Sequence, residues 1–301
     1  MKLLGKDVVV FMNGSVLAAS TSCSLSLKAL TSDASTKDSV GLTGSWDTPD
    51  YTGYEWSISN ESFAPTSGGL VQLLSQVANL DGQVNVSFQV GETRWFGYAI
   101  ITQIQIKCPA NDKVTVSLSL EGCLPLSKQS PAMQVPVARH TLVRGKALMV
   151  AMKDDKGVYH TFAAATSHTL TVSLQVSDSV TKDDVLGAPN KERTGASWSL
   201  STENLVATGG EGVTGMTLDG LIPMLLAGKK LDIALSYYPD SIGESTGEDK
   251  DWGAGKYEMV HGTVLCTSIN VNGGVNDKAT YSAEFGGVGS VQVPAIEPLD
   301  E

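Results

Sequence analysis

The stretch Gly53-Tyr-Glu-Trp56-Ser-Ile-Ser-Asn-Glu61 returns 142 residues later as Gly195-Ala-Ser-Trp198-Ser-Leu-Ser-Thr-Glu203. Around each tryptophan, apolar and polar side chains alternate. Period two is the mark of a strand with one face in a core and one in water, which is how antiparallel sheets are built. Working outward from this pair decides the fold class.

Upstream, Thr21-Ser22 with Leu25-Ser26-Leu27 matches Thr166-Ser167 with Leu170-Thr171-Val172 at an offset of 145. At the same offset Ser32-Asp33 matches Ser177-Asp178, and Thr36-Lys37-Asp38 matches Thr181-Lys182-Asp183. Downstream, Gly97, Thr102, Ile104 and Asn111-Asp112-Lys113 match Gly262, Thr267, Ile269 and Asn276-Asp277-Lys278 at an offset of 165. The offset drifts with loop length, but the order never breaks. A series of matches in fixed order reads as a tandem duplication, with copies at about 5–122 and 145–287.

Other segments have the same period. Val84 to Phe88, Ile104 to Ile106 and Val114 to Leu120 alternate cleanly, and the Asn-Asp pairs between such runs read as hairpin turns. One segment per copy breaks the pattern. Leu70, Leu73, Leu74 and Val77 fall at helical spacing, as do Leu218, Leu221, Ile222 and Leu225, with Pro223 expected to limit the second helix. The expected fold is mainly β: two tandem β-sandwich or barrel units, each with one short α-helix.

The expected organisation is a first unit at 1–122, a Pro-rich basic linker at 123–144, and a second unit from 145 to 301 ending in a C-terminal tail. The linker holds Pro125, Pro131 and Pro136 with Lys128, Arg139 and Arg144 and no acid, which favours extended chain. Much of the negative charge of the second unit falls in an insertion at about 240–258.

Composition narrows the function. The 301 residues carry 21 Lys+Arg against 32 Asp+Glu, a net charge of −11, which disfavours a protein that binds nucleic acid by neutralising phosphates. No apolar run reaches transmembrane length. Cys23, Cys108, Cys123 and Cys266 are too scattered for a disulfide scaffold or a zinc site, so a thiol-reducing compartment is expected. Met1 to Ser20 resembles a secretory signal, but Lys6-Asp7 interrupts it and Gly5-Lys6 with its apolar run recurs at Gly145-Lys146. It reads as part of a folded unit.

Chemistry is sparse. Gly210-Glu-Gly-Val-Thr-Gly215 satisfies the dinucleotide fingerprint, but such a site needs a parallel βαβ unit and the flanking strands read as antiparallel. Glu244, Glu248, Asp249, Asp251 and Glu258 in the insertion lack the register of a calcium loop. Of His140, His160, His168 and His261, His168 corresponds to Cys23 and His261 to Phe96, so neither role is kept between copies, and no nucleophile elbow exists. No catalytic, cofactor or metal residue is assigned, and an enzyme is the weaker hypothesis. Trp56 and Trp198 are expected in the core. Glu61 and Glu203 close the same strands and are expected to cap a loop or reach a neighbouring subunit. The long polar segments 39–52 and 184–194 read as loops that are functional or ordered by a partner.

A Gly-Lys-hydrophobic start, then Ala-Thr-Ser-x-Thr-Leu, then Ser/Thr-Lys-Asp, then a loop ending in Trp-Ser-x-Ser, resembles the major tail (tail-tube) proteins of long-tailed bacteriophages. The stretches are Ser20 to Leu27, Ser35 to Asp38 and Gly53 to Glu61, with Ala165 to Val172, Thr181 to Asp183 and Gly195 to Glu203. The resemblance implies a virion structural protein whose subunits join edge to edge in rings, stacked into a tube that passes DNA. It implies ring-stacking roles for Thr36, Lys37 and Asp38, and for Thr181, Lys182 and Asp183. Single-copy members form hexameric rings, so a doubled chain implies a homotrimeric, pseudo-hexameric ring. The implied partners are other copies, the tape-measure, terminator and baseplate proteins, and DNA passing unbound through the lumen, with no membrane. The implied location is the virion tail, assembled in the bacterial host cytoplasm. A tail-completion or hub ring, an injection-system tube, and a tandem β-sandwich ligand-binding module are the alternatives.

Overall fold

The computed structural model describes residues 5–17, 19–33, 49–64, 73–75, 83–129, 142–154, 157, 159–179, 189–207, 216–237, 258–274 and 277–293. Among these residues the chain is mainly β, and fifteen strands belong to one connected antiparallel sheet. The first half contributes β1 (Val8–Met12), β2 (Ser15–Val16), β3 (Ser20–Asp33), β4 (Pro49–Phe63), β5 (Gln83–Val90), β6 (Thr93–Pro109), β7 (Thr115–Gly122) and β8 (Ser127–Gln129). The second contributes β9 (Leu148–Lys153), β10 (Tyr159–Thr161), β11 (Ala165–Ser179), β12 (Asn190–Leu205), helix α1 (Leu218–Leu226), β13 (Lys230–Tyr237), β14 (Glu258–Asn272) and β15 (Thr280–Gln292).

The order of pairing occurs twice. In the first half it runs β2-β1-β5-β6-β7-β4-β3, and in the second β10-β9-β13-β14-β15-β12-β11. The register matches as well. Ile58 faces Leu120 as Leu200 faces Phe285, and Ile104 faces Leu118 as Ile269 faces Ala283. Even the irregularities recur: β3 shifts register at Ser20/Ser22 and Leu30/Thr31, β11 at Ala165/Ser167 and Gln175/Val176. Thr21 and Thr166 are the extra residues of the first shifts, and their hydroxyls donate to the carbonyls of Glu61 and Glu203 at 3.1 and 2.9 Å. Before each shift stands an alanine at φ 53°, Ala19 and Ala164, in the left-handed region that non-glycine residues seldom enter.

Each half curls back on itself. β1 and β3 lie far apart in the order, yet the Cys23 thiol on β3 donates to the Val8 carbonyl on β1 at 3.6 Å. In the second half Phe162, just past β10, meets His168 on β11 and Phe285 on β15, with ring centroids 6.0 and 5.8 Å away. The inward faces fuse into one core through both halves, including Val10, Ile58, Ile104 and Leu118 with Val150, Leu200, Val264 and Phe285. Burying each such side chain contributes roughly 1.5–3 kcal/mol.

Two local expectations change. Pro223 does not limit the second helix; it lies inside α1, which runs on to Leu226. Ile222 does not join the apolar stripe and stays 38% exposed, while Leu221 is buried and Leu218, Met224 and Leu225 pack against the core. At about 100° per residue Ile222 lies on the flank of the stripe formed by Leu218, Leu221 and Leu225, and there it stays partly open to solvent. In the first half Leu73–Ser75 is helical with Leu74 buried, while Leu70 and Val77 lie outside the described residues. The proline-rich segment begins as part of the first half: β8 pairs with β6, and Leu124 accepts a hydrogen bond from Trp56.

Candidate assembly surface

The repeated strand around each tryptophan builds a socket. Trp56 is 3% exposed and Trp198 6%. Each indole N–H donates to a backbone carbonyl at the rim, Trp56 to Leu124 at 2.7 Å and Trp198 to Gly289 at 2.9 Å. In each half two glycines make room, one on the adjacent strand and one on the strand beyond it. A Cβ on Gly97 would stand 2.7 Å from the Trp56 ring, and one on Gly262 would stand 2.7 Å from the Trp198 ring. A Cβ on Gly122 or Gly287 would overlap the indole of its own half. The match of Gly97 to Gly262 is visible in the sequence. Gly122 and Gly287 lie at the same offset of 165, and carrying the matched series on past Asn111-Asp112-Lys113 into the last strand would have found them.

Where the halves meet, the sheet continues without a break. The C-terminal part of β6 pairs with β11 in an antiparallel ladder from Gln103↔Ser173 to Pro109↔Ser167. The two edges are different elements of the repeated unit, so the junction runs head to tail. Leu170, Val172, Ile104 and Ile106 are buried beneath it at 3, 4, 0 and 0% exposure. The Ala110 amide extends the ladder to the Thr166 carbonyl at 2.8 Å, and the Gly145 amide binds the Asp112 carbonyl at 2.8 Å. Gly145 sits so close to Pro109 that a Cβ there would overlap the Pro109 carbonyl oxygen. On the polar side Lys191 bridges Asp178 at 2.9 Å and Glu121, from the other half, at 3.2 Å. Burial opposes the Lys191 charge, but the hydrogen bonds that its ammonium donates to the two carboxylates, with their negative charge, outweigh it and raise its pKa.

A cavity of about 200 Å³ lies at this junction, lined by Cys108, Gly145, Leu148, Phe162 and His168 among others. It falls below the ~300–1,000 Å³ of ordinary ligand pockets. Burial lowers the His168 pKa to about 4 and pushes the Cys108 thiol up to about 12, so both are neutral near pH 7. His168 Nδ1 has no hydrogen-bond partner among the described residues. His160 Nε2 lies 3.0 Å from Asp154 Oδ2. No group of three or more His, Cys, Asp or Glu among the described residues is placed to hold a metal ion.

His168 gives one pH prediction. Its folded pKa lies below the unfolded value of 6.5, so its contribution is complete above pH 6.5 and lost as pH falls toward about 4. Denaturant titrations should show stability falling through that window, and His168→Leu should flatten part of the fall. An unchanged slope in the variant would mean that His168 titrates alike in the folded and unfolded chain.

The sequence-assigned positions divide in two. Trp56 and Trp198 stand in the sockets, and Glu61 and Glu203 are exposed at corresponding strand ends, where their carbonyls take the threonine hydrogen bonds. Thr36, Lys37, Asp38, Thr181, Lys182 and Asp183 lie outside the described residues, as do the glycine fingerprint and nearly all of the acidic insertion. The helix that follows the fingerprint leads into an antiparallel sheet, so the parallel βαβ context is absent among the described strands. Sequence reasoning missed the β6–β11 junction, because strand neighbours are not written in local periodicity.

No known protein family and no curated protein matches the chain. Sixteen chains of solved structures are similar to it, two of them as follows. One is a chain from "Tail of empty GTA particle computed with helical refinement, C6 symmetry", 18% identical with a TM-score of 0.38, spanning 50% of this chain and 98% of that one. The other is from "Virion of native gene transfer agent (GTA) particle", 17% identical with a TM-score of 0.37, over 50% of this chain and 98% of that one. Both are chains of gene transfer agent (GTA) particles. A likeness at this level fixes neither the fold nor the role of the chain.

Proposed function

We propose that this chain is a structural subunit of a bacteriophage tail tube, a duplicated tail-tube unit whose copies form rings that stack and conduct DNA. The observation that carries the proposal is the head-to-tail edge junction between the two halves. A contact that uses two different surfaces of the same unit leaves both surfaces free again at the ends, so it propagates into a ring or a filament. Three chains would supply six units, giving a pseudo-hexamer with threefold symmetry. The net charge of −11 per chain suits a conduit, since an acidic lumen repels DNA and lets it slide. The role is structural, with no catalysis, cofactor or membrane. The proposed site is the virion tail, with tape-measure, terminator and baseplate proteins as the further partners.

Negative-stain electron microscopy of the concentrated protein tests this. Rings or tubes with threefold symmetry and six lobes are expected in end-on views. Two-lobed particles at every concentration would overturn the proposal. The stacking role of the polar loops has its own check. Lys37→Glu or Lys182→Glu should shorten tubes or leave single rings, with the thermal midpoint of the subunit unchanged. A lowered midpoint would assign these lysines to the folded scaffold instead.

A further inference from the structure

The first half keeps one edge that the second half has used. β11 is paired on both sides, by β12 and by β6, whereas its counterpart β3 is paired by β4 alone among the described residues. The second half keeps the complementary edge. The C-terminal part of β6 is flanked by β7 and β11, whereas the corresponding part of β14, from Ser268, has only β15 among the described residues.

Exposure marks the same two edges. Leu27 corresponds to Val172 and is 60% exposed where Val172 is 4%. Val271 corresponds to Ile106 and is 54% exposed where Ile106 is 0%. Leu25 and Ile269 are half-buried where Leu170 and Ile104 are 3 and 0% exposed. Gly5 repeats the case. Its counterpart Gly145 is wedged against Pro109, while a Cβ on Gly5 would meet nothing within 4 Å. Leu27 and Val271 are thus exposed at the positions whose counterparts the internal junction covers.

We infer that the β14 edge of one chain pairs antiparallel with the β3 edge of a second copy, in the register of the β6–β11 junction. Carrying that register over places Ser268 opposite Lys28, Ile269 opposite Leu27, Asn270 opposite Ser26, Val271 opposite Leu25 and Asn272 opposite Ser24. The partner is a second copy of this chain because the internal junction already shows what each edge accepts. The pairing closes a main-chain ladder over the exposed Leu27 and Val271 and removes two open edges. Gly5 of the incoming copy would then approach Gly274 as Gly145 approaches Pro109. The pairing rests on the proposed self-assembly and specifies its surface and register.

Cysteine pairs read the register. Directly opposed residues of an antiparallel pair have Cα atoms about 4.5–5.5 Å apart, within disulfide range, whereas a displacement of two residues gives about 7–8 Å. In a Cys23→Ser background the three remaining native cysteines are buried. There, Ser26→Cys with Asn270→Cys should yield reducible cross-linked multimers on mild oxidation, and Ser26→Cys with Asn272→Cys should not. Separately, Leu27→Lys, Val271→Lys and Gly5→Ala should each weaken association about tenfold or more by sedimentation velocity, with an unchanged thermal midpoint. Multimers that form without the first cross-link, or with only the displaced one, would overturn this interface while leaving ring assembly intact. A protein that stays monomeric and un-cross-linked at every concentration would overturn both.

Discussion

Trp56→Ala should destabilise the chain by about 3–5 kcal/mol, the cost of emptying a buried aromatic site. Trp198→Ala should cost a similar amount, because the second socket repeats the first down to the glycines and the rim carbonyl. Removing either indole leaves a cavity and an unpaired backbone carbonyl, Leu124 in one half and Gly289 in the other. The glycines sharpen the expectation. Gly122→Ala alone forces a Cβ into the Trp56 ring, which the β7 backbone can relieve only by moving. On a Trp56→Ala background the overlap no longer exists, so the same substitution should add little. Chemical denaturation of the two single variants and the double variant measures this coupling. Strictly additive losses would show that Gly122 does not stand against the tryptophan.

Gly145→Ala should be the most damaging change at the junction of the halves. The added Cβ overlaps the Pro109 carbonyl oxygen and also stands 2.7 and 2.8 Å from Pro109 carbonyl carbon and nitrogen. These are backbone atoms at the end of β6, so no flexible side chain can yield. The Gly145 amide also binds the Asp112 carbonyl, and shifting one contact disturbs the other. A loss at or above the top of the usual ~1–3 kcal/mol range for overpacking is expected. Gly5→Ala is the internal control, since open space surrounds that position in the single chain. Thermal unfolding should therefore separate the two variants clearly. Equal midpoints would mean that the halves part readily at this point.

Much of the β architecture was legible because its signals are local. Alternation at Val84 to Phe88, at Ile104 to Ile106 and around Trp56 assigns strands whatever the neighbours are, since burial of one face has period two. The repeat was legible too, because matched residues in order need no coordinates. Helix α1 was placed correctly but not its inner details. Spacing alone put Ile222 on the apolar stripe and ended the helix near Pro223, whereas packing against the sheet selects one narrow face and tolerates the proline.

By itself, then, the sequence determined the strands, the order in which they recur, and the identity of Trp56 and Trp198 as matched positions. These follow from periodicity and repetition along one dimension. Only the tertiary structure decided that β6 continues into β11, that Gly122 and Gly287 hollow out the tryptophan sockets, and that Leu27 and Val271 lie on the two uncovered edges. Sheet neighbours are set by long-range backbone pairing among strands distant in the chain, and an edge differs from a centre only by what lies beside it. Leu27 and Val172 are equivalent in the repeat and both apolar, yet a paired strand covers one and solvent meets the other.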